Sequence, residues 1–304
     1  MAISRAQLVK ELEPGLNALF GLEYKQYENQ HAEIYTTESS DRAFEEEVML
    51  SGFANANVKV EGSGVAYDEA QETYTARYTH DTIALAFSIT EEAIEDNLYD
   101  RLASRYTKAL ARSMSNAKQV KAVTPLIQGL PSTDNFDSGD AVSLFSTNHS
   151  TVSGTAVKNT LTTQADLNET SLEQGLIDIA GMTDERGLRV AARGMKMIIP
   201  SANQFAAERL LKSQGRTGTA DNDINAVRSM GMVPQGYRVN NFLTDSDSWY
   251  IITDVPNGMK MFTRAPLTTA MEGDFDTGNV RYKARERYSF GASDFRGIFG
   301  VEGA

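Results

Sequence analysis

Catalysis needs particular side chains at particular spacings, and this chain offers few of them. It has three histidines, His31, His80 and His149, and no cysteine. Without cysteine there is no disulfide, no thiolate nucleophile and no Cys-based metal site. The histidines lie far apart in sequence, each in a polar setting, and read as surface histidines rather than a catalytic set. There is no GxSxG elbow, no HExxH helix and no Walker loop. Gly62-Ser63-Gly64 and GRTGTADND (215–223) read as turns. Asp221-Asn222-Asp223-Ile224-Asn225 has calcium-like spacing but lacks the closing acidic ligand. The sequence therefore assigns no catalytic, cofactor-binding or metal-binding residue.

The most ordered chemical pattern is VRYKARERYSFG, 280–291. Arg281, Lys283, Arg285 and Arg287 alternate, and alternate residues of a strand share a face. This is unexpected in a chain with 29 Lys plus Arg, 41 Asp plus Glu and a formal charge of −12. Val280, Tyr282, Ala284 and Tyr288 look like packing positions on the other face, with Glu286 the exception. Four like charges in a row repel unless something answers them. Three of the four are arginine, which suits fixed bidentate pairing with carboxylates. Ion pairs, within or between subunits, are therefore expected in preference to a merely solvated stripe.

The elements that must position this stripe are mixed. Leu8, Leu12, Leu16 and Leu19 have helical spacing, but Pro14-Gly15 predicts a short or broken helix. Residues 24–45 read as a polar extended arm. Val58 and Val60 alternate like a strand, and Gly62 and Gly64 supply a kink. Tyr74, Ala76 and Tyr78 share a face, as do Ile83, Leu85, Phe87 and Ile89. The region reads as a long hairpin whose distal half cannot form its own core, so it needs a partner surface. Ile94, Leu98, Leu102, Tyr106, Leu110, Met114 and Ala117 then recur almost every fourth residue. They predict a helix of about 30 residues, about 45 Å long, stopping no later than Pro125. Further on, a helix near 170–182 buries Leu172, Leu176 and Ile179. A strand ends at Pro200, and Ser201 can cap a helix carrying Phe205 and Leu210. Strands are expected at 237–240, 249–253, 259–263 and 279–291. Helices and strands do not alternate regularly, which argues for α+β over a parallel βαβ enzyme fold.

With 304 residues and 41% hydrophobic content the chain can bury a substantial core, as one large or two modest domains. Its charge argues against wholesale binding of nucleic acid or anionic membrane. The N-terminus lacks the apolar core of a signal peptide, and no run approaches a membrane span, so a cytoplasmic origin is expected.

Several segments together resemble the major capsid proteins of tailed bacteriophages, the Hong Kong 97 fold family. VKVEGSGVAYDEAQETYTARYTHDTIALAFSITEEAIEDNLYDRL (58–102) is similar to that family's extended loop running into its spine helix. AVSLFSTNHS (141–150) and MKMIIPSANQFAAERLL (195–211) resemble segments of its axial domain, and NVRYKARERYSFGASDFRGIFG (279–300) its last strands. The resemblance spans nearly the whole chain and rests on the order of the segments. It implies an N-terminal arm at 1–42, an extended loop at 43–82 and a peripheral domain with the spine helix at 83–135. An axial domain would follow at 136–262, with C-terminal strands completing both domains at 263–304. It also implies a shell protein, not an enzyme, assembling as pentamers and hexamers around double-stranded DNA, in virions built in a host cytoplasm. Scaffold, portal and decoration proteins would be further partners, and no cofactor or membrane is implied. Leu8, Leu12, Leu16, Lys59, Glu61, Tyr74 and Tyr78 are then the expected subunit-interface residues, and Gly52, Gly62 and Gly64 the expected hinges. Packaged DNA becomes a third reading of the cation stripe, with carboxylate pairing still preferred. The alternatives are an encapsulin-like compartment of the same fold and a soluble hydrolase with an unrecognised site.

Overall fold

The computed structural model describes residues 5–90, 92, 99–133, 135–215, 223–274 and 278–304, with the side chains of 5–12 and 99–102 outside the description. Helix α1 (Arg5–Gln26) leads to strand β1 (Thr36–Ser39), followed by β2 (Phe44–Leu50), β3 (Glu72–Thr79) and β4 (Asp81–Ile89). The 30-residue helix α2 (Tyr99–Gln128) follows. After a long irregular stretch come α3 (Glu169–Ala180), β5 (Gly194–Ile199), α4 (Gln204–Lys212), α5 (Ala226–Ser229), β6 (Tyr237–Val239) and β7 (Trp249–Thr253). The chain ends with β8 (Met259–Gly273), β9 (Val280–Ala292) and β10 (Ile298–Val301).

Two four-stranded sheets and a hairpin organise these elements. One sheet has the order β1-β8-β9-β4, the other β10-β7-β5-β6, and β2 pairs only with β3. β8 and β9 form a long antiparallel pair, and β4 adds antiparallel to β9. Helices α1 and α2 cover one face of the first sheet, where Leu16, Phe20, Leu110 and Met114 meet Ile89, Tyr282 and Ala284. A larger core joins the second sheet to α3 and to the C-terminal half of α2 through Val123, Leu126, Leu130, Leu172, Ile198, Trp249 and Phe299. α2 therefore spans both cores and ties the two sheets together.

Several local expectations are corrected. α1 runs unbroken through Pro14 to Gln26. Residues 24–45 are not an extended arm: they hold the end of α1, a 3-10 turn at Gln30–Glu33, and β1 running parallel to β8. Residues 58–60 are not a strand, and the hairpin is made by β2 with β3, while β4 belongs to a different sheet. α2 passes Pro125 and ends at Gln128. Burial of Val123, Leu126 and Leu130 offsets the roughly 3 kcal/mol that an interior proline costs.

The buried stripe of α2 is Ala103, Thr107, Leu110, Ala111 and Met114, while Tyr106 is 47% exposed. Strict fourth-residue spacing drifts by about 40° per step around an α-helix, so the face that stays buried alternates steps of three and four. Ile94 and Leu98, and the side chain of Leu102, lie outside the described residues. The N-cap of α4 is Asn203, not Ser201, with no side-chain capping bond, and Phe205 is exposed. The three histidines are buried, not on the surface.

Candidate assembly interface

β9 carries the cation stripe at the centre of its sheet. Val280, Tyr282, Ala284 and Tyr288 point inward, as their spacing predicts. Glu286 points inward with them and is 2% exposed. Its partner comes from α2: Lys118 Nζ donates to Glu286 Oε2 at 3.1 Å. Burial still holds the Glu286 carboxyl above its usual range, against the pull of the ammonium.

The outward residues differ in how they are answered. Arg281 pairs with Asp274 near the end of the β8–β9 hairpin, and Glu272 lies opposite it on β8. Among the described residues, Lys283, Arg285 and Arg287 meet no carboxylate of the same chain within ion-pair distance. Their cross-strand neighbours are small and neutral: Ala86, Ala84 and Thr82 on β4, and Ala270, Thr268 and Ala265 on β8. Burial, with Arg287 and Arg264 nearby, lowers the pKa of His80, against the opposing pull of Glu45. The ring of His80 bridges Ser40 and Ser289 at 2.9 Å each.

The β2–β3 hairpin has a fastened root. Lys260 of β8, its side chain 7% exposed, sits 3.1 Å from Glu38 on β1 and 2.5 Å from Glu47 on β2. Burial alone would lower the Lys260 pKa, but the two carboxylates raise it. Tyr78 is buried, its ring edge-on to Phe262 and lying over Gly291, where any Cβ would come within 2.5 Å of it. Tyr74 is half-buried and packs towards Phe295. Gly139, at φ +101°, lies so close to β3 that a Cβ would come 2.4 Å from the Thr75 carbonyl oxygen.

Beyond the root the chain is only lightly held, by contacts such as the Ala54 N–H bond to Asp68 Oδ2 at 2.7 Å. Ser51 N–H donates to the Gln71 carbonyl and closes the ladder. Residues 52–70 then form a loop without strand pairing, in which Lys59 and Glu61 are exposed. Val58 is 94% and Tyr67 97% exposed, and Phe53, Val60 and Val65 are also uncovered. Gly52 and Gly62 have φ of +67° and +78°, which glycine adopts without strain, whereas Gly64 does not have positive φ. Arg186, before β5, donates to the Glu69 carbonyl at 2.5 Å and ties that side of the loop to its own subunit.

The N-terminal segment lies on its own subunit. Leu16 is buried in the core under α2, and the side chains of Leu8 and Leu12 lie outside the described residues. Asn17 Oδ1 accepts from Thr269 and Tyr282 at 2.7 and 2.8 Å. Gln119 of α2 clasps His31, accepting from its backbone N–H and donating to Nδ1, each at 3.0 Å.

Nothing among the described residues gathers a reactive constellation. His149 faces two acceptors, Asp140 Oδ2 at 2.5 Å and Asn159 Oδ1 at 3.1 Å, with its ring stacked 3.8 Å from that of Phe295. It is sealed in the core and fastens loops together. Arg296 does the same between Glu185 at 2.5 Å and Asp294 at 3.1 Å. No group of His, Asp and Glu among the described residues could hold a metal, and no described helix is long and apolar enough to cross a membrane. Asp221 and Asn222 of the calcium-like run lie outside the described residues, and Asn225 is instead buried as the cap of α5. Lys118, Lys260 and Arg296 are absent from the sequence reading. Only the misplaced Glu286 pointed to one of them, as a buried acid that must find a cation.

The comparisons with known proteins agree with this architecture. A family model described as phage capsid protein matches residues 72–301, and the chain belongs to that family. No curated protein sequence matches. Among solved structures, a virus-like particle from Pyrococcus furiosus aligns with 95% of this chain and 98% of its own, at TM-score 0.55 and 10% identity. The capsid of an empty GTA particle aligns with 90% of this chain and 89% of its own, at TM-score 0.54 and 13% identity. The capsid of Myoviridae phage XM1 covers 89% of both chains at TM-score 0.51 and 10% identity. Identities this low speak for the fold, which is of the Hong Kong 97 type. The chain is a structural capsid protein, and its shell contains many copies of it.

Proposed function

We propose that the chain assembles as pentamers and hexamers into an icosahedral shell enclosing double-stranded DNA, built in a host cytoplasm and carried in the virion. The observation that supports this most directly is the hairpin loop. Five large apolar side chains stand uncovered on it, beside a root that is rigidly fastened. A subunit alone has no use for such a loop; a neighbour supplies the missing surface. On this reading the chain divides into arm (1–42), loop (43–82), peripheral part (83–135), axial part (136–262) and closing strands (263–304). Lys59 and Glu61 are interface residues, while Leu16 and Tyr78 act by holding the arm and the hairpin root. Electron microscopy of the purified protein tests the proposal. Closed shells containing DNA are expected. Shells that hold protein cargo and no nucleic acid would favour an encapsulin-like compartment, and a stable compact monomer at all concentrations would overturn both.

A further inference from the structure

The hairpin leaves the body of the subunit through two short links. One is the segment between β1 and β2, residues 40–43; the other is His80 alone, between Thr79 of β3 and Asp81 of β4. The His80 ring, 5% exposed, ties these links to each other and to the sheet. Its Nε2 lies 2.9 Å from Ser40 Oγ on the first link, and its Nδ1 lies 2.9 Å from Ser289 Oγ on β9. The contacts fix where the protons are. An ionised Glu45 can only accept, so Ser40 donates its hydroxyl proton to Glu45 Oε1 at 2.6 Å. The Ser40 oxygen then accepts from His80 Nε2–H, and Nδ1 accepts from the Ser289 hydroxyl. This relay is complete with a neutral ring.

We propose that His80 is an acid-released latch: the neutral ring locks the hairpin root to the sheet, and a second ring proton loosens it. The charges around the ring set this direction. Arg287 on β9 and Arg264 on β8 repel a proton there, and Glu45 on β2 attracts it. Neither arginine meets a carboxylate among the described residues, and the Nε of each is buried without a hydrogen-bond partner. Asp81, next in the chain, is already paired with Lys121 of α2, and Glu38 and Glu47 with Lys260. Protonation therefore adds a third cation to a cluster with one carboxylate left to answer it. Ser289 must also reverse its hydroxyl and give up the bond it donates. Burial, then Arg287 and Arg264, depress the ring below its ordinary 6.5 against the pull of Glu45. The contribution of the latch is thus complete above pH 6.5 and is lost as pH falls through the depressed value. Lys260, its pKa raised, stays charged over the same range, so the root loosens without detaching.

The test is amide exchange of the full-length dissociated subunit between pH 7 and 5, each rate corrected for its intrinsic pH dependence. Protection over 44–50 and 72–79 is expected to fall at least about threefold relative to α3. His80→Gln, neutral throughout, should abolish that relative fall, and His31→Asn should keep it. In Arg287→Gln the titration of the His80 ring, followed by NMR, should move up towards 6.5, and the fall in hairpin protection should shrink. Hairpin protection that stays in step with α3 from pH 7 to 5 overturns the inference. So does a His80→Gln subunit that keeps the wild-type fall, or a His31→Asn subunit that loses it. If His80→Gln does not fold, Arg287→Gln decides alone: an unmoved His80 titration with an unchanged fall overturns the latch.

Discussion

Lys118 acts on two buried groups whose ionisation burial has already shifted. On one side is Glu286, held above its usual 4.5 by burial despite the ammonium. On the other is His31, pushed down from 6.5 to about 4 by burial and then by the charge of Lys118, against the bond from Gln119. The two have opposite consequences. The contribution of His31 is complete above its unfolded value of 6.5 and fades as pH falls towards 4. That of Glu286 is complete below 4.5 and fades as pH rises through the raised folded value. Thermal melts of the subunit between pH 7 and 4 should show wild type losing stability relative to His31→Asn, by up to roughly 3 kcal/mol. His80 is shifted the same way, so His31→Asn removes only its own share. Over the same range Glu286→Gln should lose ground to wild type as pH falls. At neutral pH, Lys118→Met leaves a buried carboxylate unpaired and should cost about 3–5 kcal/mol in chemical denaturation.

Packing of α2 and of the hairpin is tested by substitutions that change volume. Leu110 lies in the core between α1, β4 and β9, and Leu110→Ala should destabilise the subunit by about 2–5 kcal/mol. A change in assembly with unchanged subunit melting would show that the stripe faces another chain. Gly139→Ala forces a side chain at φ +101° against the β3 backbone. It should loosen the hairpin root, seen as faster amide exchange over 72–79 with little change in α3. Elements like these were legible in the sequence wherever one face is apolar and the other polar. The alternation of β9 and the stripe of α3 fall where their spacing puts them, because burial alone decides them. The errors lie where tertiary contacts overrule local propensity. Pro14 and Pro125 stay inside helices held by Leu16, Phe20, Leu126 and Leu130. Val58 and Val60 look like a strand but find no strand to pair with. The buried histidines were unreadable for two reasons: Gln119 and Ser289 come from distant parts of the chain, while Asp140 and Asn159, nine and ten residues from His149, lie in an irregular stretch with no periodicity to show which way they point.

The order of segments carried the whole-molecule reading further than any motif did, since a fold of this kind is defined by which strands return to which sheet. Deletion of residues 1–20 should leave soluble capsomers or aggregates instead of closed shells, and the burial of Leu16 and Phe20 adds a second effect. The truncated subunit should melt lower, because Leu110, Met114 and Tyr282 lose their cover, and dye binding to exposed apolar surface should rise. Closed shells at normal yield would exclude any need for the segment. The contrast between the fastened root at Lys260 and the lightly held 52–70 has a mechanical consequence. Stiffness along the hairpin is graded: the root moves with the subunit body, and the compliance resides at the tip. A curved array of identical bodies must absorb differences in angle between neighbours where resistance is least. Copies at different positions in one shell should superimpose through Lys260, Tyr78 and Gly291 and diverge only beyond Gly52.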